Sequence, residues 1–304
     1  TNLGRKVVLA APTGRAAKRM SEVTGKEAKT IHRLLEFNND GKFTKNSENK
    51  IDTDVLIVDE ASMIDIILMN NLLKATLINT KVILIGDVNQ LPSVGAGNVL
   101  RDIINSGAVP VIRLTKIYRQ ENMSKIIINS HKINQGEMPD LKVQKNSDFF
   151  FIEENDEEKC ANLILQLCEK RLPKYYKVNP VADIQVLTPM KKGTLGTDNL
   201  NKLLQEKLNK SKISLKYGGC EYKLGDKVMQ IKNNYDKDVF NGDIGKILFI
   251  DEVLETLEVN FDSKIVEYDI SELDEITLAY ACTIHKSQGA EYPIIIIPMT
   301  KSHY

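Results

Sequence analysis

No two cysteines in this sequence are spaced as CxxC; Cys160, Cys168, Cys220 and Cys282 stand apart. That pattern offers neither a zinc site nor a disulfide framework, and reduced thiols in a cytoplasmic protein are the expectation. Net charge is missing as well: 41 acidic residues balance 41 basic ones in 304 residues. A polyanionic partner therefore has to be argued from local patches, not from the whole chain. No apolar run approaches the length needed to cross a bilayer, no signal-peptide pattern opens the sequence, and no repeat of fixed period is present. What is there is the composition of an ordinary globular protein, 42% hydrophobic and 27% charged, long enough for roughly two domains. The charge is unevenly placed. Residues 1–33 carry eight Lys or Arg against two Glu, residues 191–216 seven Lys against two acids, and residues 251–275 ten acids against one Lys.

Hydrophobic patterning alternates between short apolar runs and amphipathic stretches. Residues 6–11, 55–58 and 81–85 read as buried strands, and residues 15–23, 31–36 and 64–76 as helices, with Thr30 and Asp65 near two helix starts. Residues 38–49 are polar and read as a loop or loose hairpin. A second unit is expected from about residues 114–119, with helices over 124–134, 159–171 and 198–209 and a strand over 184–187. Strands alternating with helices predict parallel sheets covered on both faces. Between residues 215 and 274 the rhythm changes to closely spaced strands over 228–231, 244–250, 257–261 and 264–268, with Asn241-Gly242 as a turn signal. That stretch predicts a small β-barrel set into the second α/β unit. Helical character returns over 284–288, and residues 294–298 read as a last buried strand.

The chemistry-bearing residues fall at the ends of these strands. Val55-Leu56-Ile57-Val58 runs into Asp59-Glu60, and the carboxyl ends of strands are where open α/β sheets place their sites. Taken alone, the acidic pair fits a solvated turn better than a catalytic site. It has company, however. Ala10-Ala11-Pro12-Thr13-Gly14-Arg15-Ala16-Ala17 links a strand to a helix, Gly86-Asp87 and Gln90-Leu91-Pro92 follow another strand, and Tyr118-Arg119-Gln120 follows a third. Thr283-Ile284-His285-Lys286-Ser287-Gln288-Gly289, then Glu291, lies near the end. Carboxylates, an amide, a guanidinium and a basic hydroxyl-bearing segment form a set suited to moving charge on a phosphoryl group.

In this order the motifs resemble those of the superfamily 1 DNA helicases, and within them the RecD-like group typified by the exodeoxyribonuclease V alpha subunit. The resemblance spans nearly the whole chain, and DEAS, GDVNQLP and TIHKSQGAE in succession are highly specific. It implies two RecA-like α/β domains, residues 1–116 and residues 117–214 with 275–304, and an SH3-like β-barrel at 215–274 inserted in the second. It also implies an ATP-driven motor moving 5′ to 3′ on single-stranded DNA, with ATP and Mg2+ as cofactors and other subunits of a recombination or repair complex as possible partners. Residue by residue, Asp59 would hold the magnesium ion through water and Glu60 would be the catalytic base. Gln90 would sense the terminal phosphate, and Arg119 would reach it from the second domain. Gly289 and Glu291 would touch the nucleotide. Thr13, Arg15, Thr30 and His32 would meet the DNA backbone from the first domain, and Thr188, Lys191, Thr283, His285, Lys286 and Ser287 from the second. Tyr217, Tyr222 and Tyr235 suit either base stacking or a barrel core.

One expected element is missing. Gly-Lys occurs at Gly25-Lys26, Gly41-Lys42 and Gly245-Lys246, but none completes GxxxxGK[ST], the loop whose amides and lysine wrap phosphates. The final helicase segment with its second arginine is missing too. The expectation is a chain truncated at both ends and inactive alone. The competing readings are a non-catalytic single-stranded DNA-binding module of the same fold and a related motor acting on RNA or on bound proteins.

Overall fold

The computed structural model describes residues 4–38, 40–114, 124–142, 147–261 and 264–303. Its first lobe is built on Val7–Ala11 (β1), Ala28–Thr30 (β2), Val55–Val58 (β3) and Lys81–Leu84 (β4). These strands lie in the order β2-β1-β3-β4 and all run parallel. Helix Gly14–Thr24 (α1) follows β1 directly. The Thr13 hydroxyl accepts from the Ala16 N–H at 3.3 Å to start it, and Gly25 at φ +66° ends it in the left-handed region. Ile31–Leu34 (α2) starts at Thr30, and Ile66–Lys74 (α3) at Asp65, whose carboxylate accepts from the Leu68 N–H at 2.7 Å. Val99–Ser106 (α4) completes the described helices of this lobe. Leu56 and Val58 of β3 pack with Ile31, Leu35, Ile64 and Leu72 in a core of their own.

The second lobe carries Lys125–Asn134 (α5), Glu157–Gln166 (α6), Leu172–Tyr176 (α7), Ile184–Thr188 (β5) and Thr197–Leu208 (α8). The helix expected over 159–171 is interrupted: a π-helical segment, Leu167–Arg171, separates α6 from α7. Pro173 accounts for the break, because it lacks the N–H that an α-helix would pair with the carbonyl of Glu169. Ser214–Tyr217 (β6) and Cys220–Lys223 (β7) form an antiparallel hairpin. Lys227–Gln230 (β8), Ile244–Asp251 (β9), Thr256–Phe261 (β10), Lys264–Asp269 (β11) and Ile276–Leu278 (β12) form an antiparallel sheet in the order β11-β10-β9-β8-β12. Ala281–Thr283 (β13) and Ile294–Ile296 (β14) flank β5 in parallel. The expected class holds: α/β lobes with parallel sheets and a small all-antiparallel unit entered from and returned to the second.

Two strands expected to be buried are edge strands instead. β4 ends the first sheet and leaves Ile83 46% exposed, and β14 ends the second and leaves Ile295 47% exposed. An apolar run does not reveal whether a neighbour covers both faces.

The antiparallel sheet and the second lobe share one hydrophobic core. Val186, Leu200 and Leu204 from the α/β part pack in the same cluster as Val228, Ile247 and Leu257 from the sheet. A buried polar knot ties the same two parts. The carboxylate of Asp226, next to β8, accepts from Gln205 Nε2 at 2.5 Å, Asn209 Nδ2 at 2.6 Å, the Lys223 N–H at 2.7 Å and Tyr280 OH at 2.8 Å. The antiparallel unit is therefore rooted in the second lobe, while the first lobe keeps a separate interior.

Candidate nucleotide cleft and strand-contact surface

β3 delivers Asp59 and Glu60 to the carboxyl end of the first sheet. Glu60 sits at φ +51°, in the left-handed region, an uncommon conformation for a residue with a side chain. The surrounding hydrogen bonds hold it there. The Asp59 carboxylate accepts from the Glu60 N–H at 2.9 Å, and the Ala61 N–H donates to Ile85 O at 2.8 Å, locking the turn to the end of β4. Gly86 follows that strand, and a Cβ there would lie 2.9 Å from Leu100 Cδ2 and 3.0 Å from the Ser62 amide nitrogen. The close approach of the two turns therefore needs glycine. It also crowds three acids. Burial, then Asp59 and Asp87, push the Glu60 carboxyl above its ordinary value, against the opposing pull of Arg19.

Two bonds bring the second lobe to this end. Gln288 Nε2 donates to Leu91 O at 3.0 Å, fastening the segment after β13 to the Gln90-Leu91-Pro92 loop. Arg19 of α1 pairs with Glu291 at 2.9 Å. Between the lobes lies a cleft of about 260 Å³ lined by Arg15, Lys18, Arg19, Asp243, Gly289 and Glu291. Gly289 is at φ +72°. Asp59, Glu60, Gly289 and Glu291 are thus gathered on one side of the molecule, with Gln90 exposed on the adjoining loop. Arg119 lies outside the described residues, as do its neighbours Tyr118 and Gln120.

The candidate strand contacts divide by burial. His285, Lys286 and Lys191 are exposed, while Thr13, Arg15, Thr283 and Ser287 are half-buried. Although the Lys286 side chain is exposed overall, desolvation of its amine by surrounding groups, and then the nearby Lys191 ammonium, hold that amine below its ordinary value, so the two lysines are neighbours. Two threonines do not fit a direct contact. Thr188 is fully buried and its hydroxyl donates to Leu195 O at 2.8 Å. Thr30 is 4% exposed and its hydroxyl accepts from the Arg33 N–H at 3.1 Å. Both hydroxyls serve the local turn, which corrects the expectation that they face a strand. His32 lies in an aromatic nest, 5.7 Å from the Phe37 centroid and 5.9 Å from that of Phe43. Burial pushes its imidazole below the usual value, opposed by Asp65, so it is a poor cation for phosphate. Tyr222 is core, its hydroxyl donating to Ile276 O at 2.9 Å, whereas Tyr235 remains 43% exposed.

Arg19 joins the site without having been singled out by sequence, and Asp87, noted there as part of Gly86-Asp87, joins it without having been given a role. Arg19 had a signal, one helical turn beyond Arg15 on the same face. Asp87 had one too, in a position at a strand end equivalent to that of Asp59.

Family models match two stretches. Residues 1–156 match an AAA domain, and residues 200–261 match the SH3 domain of ATP-dependent RecD-like DNA helicases. Among curated proteins, the ATP-dependent RecD2 DNA helicase of Deinococcus radiodurans is 37% identical over 302 residues, covering 99% of this chain and 40% of the relative. The RecBCD enzyme subunit RecD of Buchnera aphidicola subsp. Acyrthosiphon pisum is 31% identical over 368 residues, covering 98% of this chain and 61% of that protein. The chain thus spans less than two thirds of either relative. A solved Pif1 helicase from Bacteroides, in complex with ADP-AlF3 and single-stranded DNA, shares the fold at a TM-score of 0.56 with 20% identity. That match covers 98% of this chain and 77% of the other.

Proposed function

The chain belongs to the RecD-like DNA helicase family, and from that premise we propose that it is the motor core of a protein coupling ATP hydrolysis to 5′-to-3′ movement on single-stranded DNA. The observation that carries this reading is the meeting of the two lobes at the Asp59-Glu60 end of the first sheet, through Gln288 to Leu91 O and Arg19 to Glu291. Glu60 would take the proton of the attacking water. Its raised pKa favours a base over a permanently charged ion-pair partner. Gly289 and Glu291 would hold the nucleotide, Gln90 would couple its terminal phosphate to the second lobe, and Arg119 would complete the cleft.

The acids fit a water-shelled magnesium ion. Asp59 and Asp87 crowd Glu60 with negative charge that a divalent cation would offset, yet among the described residues no group of three or more His, Cys, Asp or Glu forms a cage. Magnesium commonly keeps several waters and takes only one or two carboxylates beside phosphate oxygens. When bound, the ion would neutralise developing charge on the phosphates. Thr13, Arg15, Lys191, Thr283, His285, Lys286 and Ser287 would hold the strand's backbone.

We assign residues 1–116 to the first domain, 117–214 with 275–304 to the second and 215–274 to the barrel. We place the protein in the cytoplasm, alone or with subunits of a recombination complex. Because residues 1–304 hold no GxxxxGK[ST] loop, the chain by itself would bind strand without turning over ATP. That same absence favours a second reading, a strand-binding module without catalysis. Purified residues 1–304 should bind an oligothymidylate with an affinity that falls as salt rises, with no ATP turnover above background. Salt-independent binding would count against the phosphate contacts, and robust turnover against the assignment of the missing loop.

A further inference from the structure

The segment between β8 and β9, residues 231–243, makes three contacts that the proposed chemistry does not use. Phe240, 8% exposed, occupies the space a side chain on Gly14 would take; a Cβ on Gly14 would lie 2.6 Å from Phe240 Cδ1. Gly14 is helical, not left-handed, so its requirement for glycine is one of room and not of backbone freedom. Tyr235 packs edge-on against Phe240 with ring centroids 5.9 Å apart, and the guanidinium of Arg33 lies 6.0 Å from the Tyr235 centroid. At the far end, Gly242 lies against the carbonyl of Lys286, 3.9 Å from where a Cβ would stand.

The three targets are the turn at Thr13, Gly14 and Arg15, the Thr30-to-Arg33 turn, and the segment around Lys286. The first and third contain residues assigned above to the strand-contact surface, and the second packs beside the first. The bridging segment is stiff and belongs to the second lobe. Asn234 and Val239 exchange backbone bonds at 2.8 and 3.0 Å, Asn234 Nδ2 donates to Glu275 at 3.1 Å, and the Phe240 N–H donates to Asp243 at 2.9 Å. Val239 is part of the shared core.

We propose that Phe240 is a positioning residue for strand binding: seated on Gly14, it fixes the separation between the strand-contact turns of the two lobes. The inference rests on the reading that those turns meet single-stranded DNA. Phosphates along a strand have a set spacing, so contacts from two lobes add only when both can be made at once. A stiff plug from one lobe seated in a glycine socket on the other sets that geometry without touching a phosphate.

The test is fluorescence anisotropy of a labelled oligothymidylate with purified residues 1–304. Gly14→Ala, which adds one methyl to the socket, should weaken binding by about tenfold, because simultaneous engagement is lost. It should not lower the melting temperature, since alanine suits a helical position. Phe240→Leu should weaken binding similarly, and in both single variants the salt slope should become shallower, because phosphate contacts from one lobe are lost when the two lobes cannot engage together. Combining Gly14→Ala with Phe240→Ala should bind more tightly than Gly14→Ala alone, the new methyl now having room. Wild-type affinity in Gly14→Ala, or a double variant no better than Gly14→Ala, overturns the inference while leaving the functional reading intact. A wild-type chain that fails to bind strand removes both. Should Phe240→Ala not fold, Gly14→Ala and Phe240→Leu decide.

Discussion

Lys227 is 5% exposed at the junction of the antiparallel sheet and the second lobe, where its amine donates to Ile184 O at 3.3 Å and lies 5.8 Å from the Tyr292 ring centroid. Burial pushes its pKa down to about 8 from 10.5. The folded state therefore gives up this proton before the unfolded chain does. Between those two values the unfolded chain binds more protons, and this site's contribution to stability rises with pH. Below about pH 8 the buried charge is a standing cost. Lys227→Met should then be more stable than the wild type at neutral pH, by on the order of 2 kcal/mol. The gap should shrink as pH rises to about 9.5, read by urea denaturation of both proteins. A gap independent of pH would mean that the lysine is not titrating there. The threonines make a second case at this scale. Thr13, Thr30 and Thr188 look alike in sequence as hydroxyls beside a turn, but a cap needs its oxygen turned inward, and burial decides which ones keep a free side. Thr30→Ala should cost about 1 kcal/mol of stability and leave strand affinity unchanged; a large loss of affinity at constant stability would restore it as a contact.

Among the secondary-structure elements, most of the fold could be read from the sequence, because β1, β3, β5, β8, β9, β10 and β11 are apolar or alternating runs bounded by turn residues. Strands β2, β12 and β13 have three residues each, too few to show a period, and exist because a neighbouring strand pairs with them. The β6–β7 hairpin turns on Gly218 and Gly219, both at positive φ, in a stretch otherwise rich in lysine that reads as surface. The acid–amide knot was also illegible. Asp226 stands after a glycine as a turn residue would, and only the fold brings Gln205, Asn209 and Tyr280 to it. Burial pushes its carboxyl upward in spite of those donors, each of which pulls it down. Asp226→Ala takes the shared acceptor from four donors, of which Gln205 Nε2 keeps Glu221 O and Asn209 Nδ2 keeps Leu224 O, and should destabilise the second lobe by about 3 kcal/mol. Tyr280→Phe removes one bond and should cost about 1 kcal/mol. Hydrogen exchange of α8 and β8 should rise together in Asp226→Ala; exchange confined to one of them would show that the knot does not join the two.

For the whole molecule, the motif order in the sequence located the acidic pair, the Gln90 loop and the segment 283–291, and these do converge. What patterning could not supply is how the lobes meet. Arg19 with Glu291, Gln288 with Leu91 and Phe240 on Gly14 are pairings between residues 272, 197 and 226 positions apart, with no local signature. They leave a first lobe with its own core and a second lobe fused to its barrel, an arrangement suited to two bodies that close on a nucleotide and grip a strand. The account turns on Glu60 acting on the attacking water rather than on nucleotide binding. In a protein that carries this chain together with a phosphate-binding loop, turnover and nucleotide affinity should be measured side by side for Glu60→Gln. Strand-stimulated ATP hydrolysis should fall by at least about a hundredfold, with the nucleotide Kd unchanged to within about threefold. Retained hydrolysis, or affinity lost in step with rate, would contradict the account.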